Sequence, residues 1–344
     1  MRNILLDTIR GNYHERPPVW FMRQAGRVLP SYLKLKEQHS FWEMMRNPDM
    51  AARITLLPVQ ELGVDAAILF SDILVIPYAL GMGLEFTDEG PVLDTPLMHR
   101  KFPVDKLLTP RPEKLNYIYN TIRKITLLKP PGIPLIGFCG GPLTVLSYII
   151  QGLGTKSEFP EVPKYIYKYK REVTRLVELI TELSLVYMEG QIKSGIDIFQ
   201  LFETHAGLVP SDIYAELFMP AVEKLGQYAK EKKVPFIYFP KGLGAGMEGV
   251  TPDICDFISI DWHIPLVFAR KLVHADIGLQ GNLDPRILFA DTGTINEALK
   301  PYIEFGKKEY RWIFNLGHGF LPGTPFEVAR YITDSVKNSN WNRA

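Results

Sequence analysis

Pro17-Pro18-Val19-Trp20-Phe21-Met22-Arg23-Gln24-Ala25-Gly26-Arg27 sets the pattern from which the fold is read. Apolar residues run without alternation into two arginines four positions apart. An unbroken apolar run of this length fits a strand covered on both faces. The run stops where the charge begins, so Arg23 and Arg27 stand at the exit of that strand. Arginine keeps its charge at physiological pH, and its planar fork matches a carboxylate or a phosphate. A charge at the mouth of a buried strand needs a partner. That partner is either an acidic side chain of the protein or an anionic ligand, and the pair alone reads equally both ways.

Working outward, seven further apolar runs follow 18–21, at 66–70, 135–139, 196–202, 236–239, 257–260, 277–280 and 312–315. Helical periodicity separates them; Leu176, Leu179, Ile180, Leu183 and Tyr187 share one face of one such stretch. Eight alternations predict an α/β fold with a single (β/α)8 (TIM) barrel, one domain spanning 1–344. A doubly wound sheet is the alternative architecture. Two segments interrupt the alternation. Residues 84–93 read as a small hairpin inserted after strand 2, with Asp88-Glu89-Gly90 as its turn, and 152–163 as a loop suited to a lid. The polar stretch 338–344 is expected to fray.

Hydrophobic residues make up 46% and charged residues 22% of the chain, a globular composition. A formal net charge of +1 gives no long-range field to draw nucleic acid or an anionic membrane. Any anion site is then a local concentration of Arg, His and Lys. The two cysteines, Cys139 and Cys255, are too few for a disulfide scaffold and lack zinc spacing. The N-terminus has no secretory pattern, and no apolar run nears the ~20 residues of a membrane-spanning helix. The expectation is a cytoplasmic protein.

A barrel carries its working groups where the strands end. Here those exits hold Arg23 and Arg27, Ser71-Asp72, Gly140-Gly141-Pro142 with Tyr148 beyond, and Glu203-Thr204-His205; Lys241, Asp261, Asn282 and His318 follow. Each alone reads as a cap or a salt-bridge member. As a set they place the cations Arg23, Arg27 and His318 around a carboxylate, Asp72. No activated nucleophile is evident: Ser147 lacks the Gly-x-Ser-x-Gly turn, and no His-Glu-x-x-His occurs. Lys241, between Pro240 and Gly242, reads as a loop charge or an anion contact rather than a Schiff-base former. Gly244-Ala245-Gly246-Met247-Glu248-Gly249 matches a dinucleotide fingerprint, with Asp261 ending the next run. It begins several residues beyond its strand, however, and Pro252 delays the helix that would hold a pyrophosphate.

The opening segment, from Pro18 to Arg27, resembles the N-terminal signature of the uroporphyrinogen decarboxylase family almost position for position. A second signature of that family is similar to Gly137-Phe138-Cys139-Gly140-Gly141-Pro142-Leu143-Thr144-Val145-Leu146-Ser147-Tyr148. Further matches are Phe70-Ser71-Asp72-Ile73-Leu74, Phe202-Glu203-Thr204-His205-Ala206-Gly207, Gln280-Gly281-Asn282-Leu283-Asp284-Pro285 and Asn315-Leu316-Gly317-His318-Gly319. They stand in family order over nearly the whole chain. Three positions depart from the pattern. Leu143 replaces an aromatic residue, Gln151 a glutamate, and Thr204 stands where many members have serine.

The resemblance implies cofactor-free decarboxylation of the four acetate side chains of uroporphyrinogen III, giving coproporphyrinogen III. It implies Asp72, Arg23 and Arg27 as the catalytic set. Arg23, Gln24, Ala25, Gly26, Arg27, Asp72, Tyr148, Thr204 and His318 would bind the substrate. No metal and no cofactor are implied, and a homodimer is. His318, with an ordinary pKa near neutrality, titrates more conveniently than arginine as a proton donor, although the acid stays unassigned. Two other functions fit parts of the pattern. The same superfamily holds cobalamin-linked methyltransferases, which use a zinc-binding His-x-Cys; Asp261-Trp262-His263-Ile264-Pro265 offers the histidine without the thiol. A non-catalytic tetrapyrrole carrier would keep the arginines but has no need of Asp72.

Overall fold

The computed structural model describes residues 3–87, 90–99, 108–152 and 159–343. Strands β1 (Ala67–Ile68), β4 (Leu135–Gly140), β5 (Ile198–Glu203), β6 (Phe236–Pro240), β7 (Phe257–Ser259), β8 (Gly278–Gln280) and β9 (Trp312–Ile313) form one sheet in chain order, every pair parallel. The remaining two strands, β2 (Leu84–Thr87) and β3 (Gly90–Leu93), pair antiparallel by themselves between β1 and β4. The turn residues Asp88 and Glu89 lie outside the described residues. Every strand residue from β4 to β9 is buried except Phe202, as expected when helices cover the outer face of a parallel sheet. The long helix Lys170–Ser194 buries Leu176, Ile180, Leu183 and Tyr187 along one stripe, the face its periodicity predicts.

Segment 18–21 does not form a strand. Only Val19 pairs, in an isolated parallel bridge to Phe314. The reason is local. Pro17 and Pro18 have no N–H to offer a ladder, and side chains take most of the N–H groups that follow. Val19 N–H goes to Asp65, Phe21 N–H to the Gln24 side chain, and Met22 N–H to Asn315. Pro18 and Val19 nevertheless reach the chain at both edges of the sheet. Phe314 N–H donates to Pro18 O at 2.9 Å, and Asp65 N–H, just ahead of β1, donates to Val19 O at 2.8 Å.

Two further expectations change. In the loop expected over 152–163, residues 153–158 lie outside the described residues, and helix Glu161–Lys168 has already begun by its end. The C-terminal stretch is anchored rather than frayed. Trp341 is buried, with its ring centroid 6.0 Å from that of Trp312, and its indole N–H donates to Val336 O at 2.8 Å. Arg343 Nε reaches Gly306 O at 2.7 Å. One tryptophan and one arginine outweigh the polar neighbours that made the tail look loose.

Candidate active site

The turn after segment 18–21 is built to hold Arg23 in an unfavourable conformation. Arg23 has φ +62°, the left-handed region that side chains disfavour. Its neighbours fix it there. Asn315 Oδ1 accepts from Met22 N–H at 3.2 Å, Phe320 N–H donates to Met22 O at 3.1 Å, and Gln24 spans from Phe21 N–H to Ala66 O at 2.9 Å each. The Arg23 side chain then lies across Gly319, where a Cβ would sit 2.4 Å from Arg23 Cδ. Only glycine leaves that lane open. Arg23 keeps solvent-reachable surface while protein crowds it, the situation of a side chain lining a recess, and this burial lowers its pKa. Among the described residues, neither Arg23 nor Arg27 meets a carboxylate in a salt bridge.

Asp72 follows β1 two residues beyond Phe70, where the apolar run ends. Its Oδ1 accepts from Leu74 N–H at 2.8 Å, a local turn that aims the carboxyl and starts helix Val75–Ala79. Burial pushes its pKa up to about 6, opposed by that hydrogen bond and by the charge of Arg23. Tyr148 feels both Arg23 and Asp72, and burial moves its phenol up to about 12.

Tyr148 rides on helix Pro142–Gln151, whose first residues carry no cap of their own. The cap comes from β5. The Glu203 carboxylate accepts Leu143 N–H at 2.9 Å and Thr144 N–H at 2.6 Å, and the Thr144 hydroxyl also donates to it. A side chain at Gly141 would strike that carboxyl, its Cβ falling 2.6 Å from the Glu203 carboxyl carbon. The helix N-terminus favours a negative group there, while burial raises Glu203 to about 7. Thr144 Oγ1 accepts His205 N–H at 3.1 Å, so one buried cluster fixes Tyr148, Thr204 and His205 relative to one another.

The far wall is basic. His205 packs its ring 4.8 Å from Phe159. Burial, then the charge of Lys241, depresses it to about 4. His318 sits 6.3 Å from the ring of Phe239 and 6.2 Å from that of Trp262. Burial, then Arg23, Lys241 and His205, depresses it to about 3. Lys241 Nζ lies 5.5 Å from the centroid of the Trp262 ring, a cation–π approach. These mutual influences group Arg23, His205, Lys241 and His318 at the strand exits, with Asp72 near Arg23.

Most of the residues singled out in the sequence therefore meet. Arg23, Asp72, Tyr148, Thr204 and His318 are all partly solvent-reachable at the strand exits. Ala25 and Gly26 are half-buried in the turn, and Arg27 is exposed beside Tyr32. Gln24 is fully buried with both ends of its amide engaged, so its side chain holds the turn. His318 differs from its expected behaviour: it is held neutral, not poised near neutrality. Sequence reasoning left out His205 and gave Lys241 a minor part; their exit positions were the available signal. The run from Gly244 to Gly249 folds as a short 3-10 segment, with no helix start for a pyrophosphate. Both cysteines are free and buried, and burial holds their thiols well above the ordinary range.

A parallel α/β sheet with arginine, lysine, histidine and carboxyl groups gathered at its strand exits belongs to the class of α/β proteins that carry their working groups at strand ends. Within that class the match to known proteins is specific. Residues 2–339 match the uroporphyrinogen decarboxylase (URO-D) family, and the chain belongs to that family. A uroporphyrinogen decarboxylase of Pelobacter propionicus is 37% identical over 338 residues, covering 98% of each chain. One of Thermus thermophilus is 37% identical over 339 residues, again covering 98% of each. Among solved structures, a methyltransferase from Methanosarcina mazei superposes with a TM-score of 0.77 at 16% identity, covering 98% of this chain and 99% of its own. A B12-independent methionine synthase from Shewanella reaches 0.54 at 14% identity, covering 84% and 85%. These two likenesses concern the fold.

Proposed function

We propose that the protein is a uroporphyrinogen decarboxylase, converting the four acetates of uroporphyrinogen III to methyls with no cofactor. The observation that carries this reading is Asp72, a carboxyl group crowded by protein, without a salt bridge among the described residues, and near Arg23 and Tyr148. The substrate carries eight carboxylates at its rim and four pyrrole N–H groups at its centre. Arg23, Arg27, Lys241 and the two histidines suit the rim, and Asp72 suits the centre. In each step a pyrrole carbon takes a proton, and the resulting cation accepts the electron pair released with CO2 to leave an exocyclic methylene. The methylene carbon takes a proton to become the methyl, and the ring carbon gives its proton up, for a net uptake of one proton. Four such steps consume four protons.

Asp72 accelerates this by meeting the cation. At ~4 Å and an effective dielectric near 20 the attraction is about 4 kcal/mol. Only the excess over what the neutral ground state gains lowers the barrier, and a neutral macrocycle gains little. A buried carboxylate suffers no reorganisation when the charge appears. Neither His318 nor His205 begins as the acid, because each is neutral in the empty site. Arriving carboxylates reverse the sign of their surroundings, raise both, and draw protons into the recess.

The same reading includes the closed eight-stranded barrel over a single domain. It is supported by segment 18–20, whose Pro18 and Trp20 bond to Phe314 beyond β9 and whose Val19 bonds to Asp65 ahead of β1. A cytoplasmic homodimer completes it. Among the described residues no helix is long and apolar enough to cross a membrane. Anaerobic incubation of pure protein with uroporphyrinogen III, no cofactor added, followed by chromatography, tests the reading. Coproporphyrinogen III is expected, and its absence with folded protein turns the assignment toward a tetrapyrrole carrier.

A further inference from the structure

Segment 18–21 meets the sheet through few ladder bonds, yet Trp20 within it is fully buried. Its indole N–H donates to Gln280 Oε1 at 3.0 Å. Gln280 is the last residue of β8, and its Nε2 donates in turn to Gln200 Oε1 at 3.2 Å and to the Ser259 hydroxyl. Gln200 lies on β5, and Ser259 is the last residue of β7. Strands β6 and β7 stand between β5 and β8 in the sheet, so Gln200 and Gln280 cannot meet along a ladder. They meet across the concave face of a curled sheet. All four residues are buried, and Trp20, Gln200 and Gln280 have no exposed surface. Amides in an apolar interior destabilise it unless they are bonded, and nothing in the proposed reaction uses these.

Chemistry fixes the direction of the chain. An indole nitrogen is donor-only, so Gln280 must present its oxygen to Trp20 and its nitrogen to Gln200 and Ser259. Gln200 accepts with its oxygen, and its own Nε2 has no hydrogen-bond partner among the described residues. The bonds therefore run one way, and the spare donor is at the β5 end rather than at Trp20.

We infer that Gln280, backed by Gln200, is a positioning residue for Arg23: the two amides register Trp20 against β8 in place of the ladder bonds that segment 18–21 lacks. Trp20 stands three residues ahead of Arg23. The chain between them is held a second time by residues that follow β9. Met22 N–H donates to Asn315 Oδ1 at 3.2 Å, and Met22 O accepts from Phe320 N–H at 3.1 Å. The turn that holds Arg23 at φ +62° is thus set by two anchors, one on β8 and one beyond β9. Without the β8 anchor the segment can slide, and the guanidinium slides with it along the lane over Gly319. A fork must meet a carboxylate at the right angle as well as with the right charge, and a small misplacement slows a reaction steeply. The inference rests on the proposed role of Arg23 toward substrate carboxylates.

A double-mutant cycle on uroporphyrinogen turnover separates positioning from a merely structural role. Gln280→Met keeps the length of the side chain and removes its bonds. It should lower kcat/KM about ten-fold in the wild-type background, but less than about two-fold once Arg23→Lys is present, because the fork it aims is gone. An equal loss in both backgrounds, or none in the first, overturns the inference. Gln280→Glu should recover activity to within about three-fold of wild type. It keeps an acceptor for Trp20, and Gln200 can turn its unpartnered Nε2 toward the second oxygen. A variant no better than Gln280→Met counts against the chain.

A last readout needs no substrate. The chain has five tryptophans, and the indole N–H signal of Trp20 is assigned by its loss in Trp20→Phe. That signal should exchange slowly with deuterium in the wild type and at least about ten-fold faster in Gln280→Met. The signal of Trp341, bonded to Val336 O at 2.8 Å, should not change. A wild-type Trp20 signal that exchanges as fast as an exposed indole overturns the anchor even if Gln280→Met does not fold. Inactivity of the wild type with uroporphyrinogen would instead sink the functional reading, and the exchange data would still decide whether Trp20 is anchored.

Discussion

The two ends of the strands solve the same electrostatic problem in opposite ways. At the entry end, aspartates close their charge within the protein. Asp65 accepts two bonds from Arg16, at 2.7 and 2.8 Å, and one from Val19 N–H. Asp197 takes Lys129 at 2.5 Å and Leu135 N–H at 2.8 Å, and Asp256 takes Phe236 N–H at 2.8 Å. Asp197 and Asp256 thereby tie β5 to β4 and β7 to β6 at the first residue, and Asp65 ties the chain ahead of β1 to Val19. A recess of about 500 Å3 opens at this end, and its Lys230 is paired with Asp253 at 2.7 Å. At the exit end, Arg23, Asp72, His205 and His318 are crowded by protein but left without close countercharges, and burial dominates the pKa shift of each. Charge closed on itself stabilises the fold, and charge left open is available to a ligand.

The strongest way to break this contrast is Asp72→Asn. Turnover should fall about 1000-fold, the rate equivalent of ~4 kcal/mol, with coproporphyrinogen formation as the readout. The fold should gain. Asp72 has its pKa raised from 3.8 to about 6 on folding, so its contribution to stability is greatest below 3.8 and is lost as pH rises through about 6. The asparagine variant should therefore unfold at higher denaturant at pH 8, by about 1–3 kcal/mol, and not at pH 3.5. For the wild type the acid limb of kcat/KM should fall near pH 6. A variant that loses activity and stability together would place Asp72 with the entry-end aspartates.

Asp65→Asn is the converse. It strands Arg16 and weakens the bond to Val19 N–H, and should lower stability by about 3 kcal/mol in denaturant titration while leaving the pH profile unchanged. Arg23→Lys keeps the charge but loses the fork. A drop of about 100-fold in kcat/KM, ~2.7 kcal/mol, is expected with little change in melting temperature. Lys241→Gln gives the smallest effect. It should raise KM about three- to ten-fold and relieve the depression of His205 and His318, visible as an upward shift of their NMR titrations.

Much of this was legible in the order of residue types. Seven of the eight apolar runs are strands in one parallel sheet, because a strand buried on both faces must be apolar throughout. The polar residue closing each run marked the exit, so Arg23, Asp72, Tyr148, Thr204 and His318 could be gathered on paper. Segment 18–21 failed as a strand because prolines and side-chain acceptors removed its donors, and the Asp65 and Asn315 acceptors are 46 and 293 residues from the N–H groups they hold. The C-terminal tail failed because Trp341 finds Trp312 across the fold.

By itself the sequence determined where chain direction, apolar cover and strand exits fall, since these follow from near-neighbour pattern. It also determined the family, through motifs in a fixed order. Only the tertiary structure decided which charges are paired. It left Arg23 open and closed Arg16, capped the Tyr148 helix with Glu203 from another strand, and made His318 neutral and Asp72 a weak acid. Those outcomes depend on desolvation and on charges brought together from distant parts of the chain, which no local stretch of residues encodes.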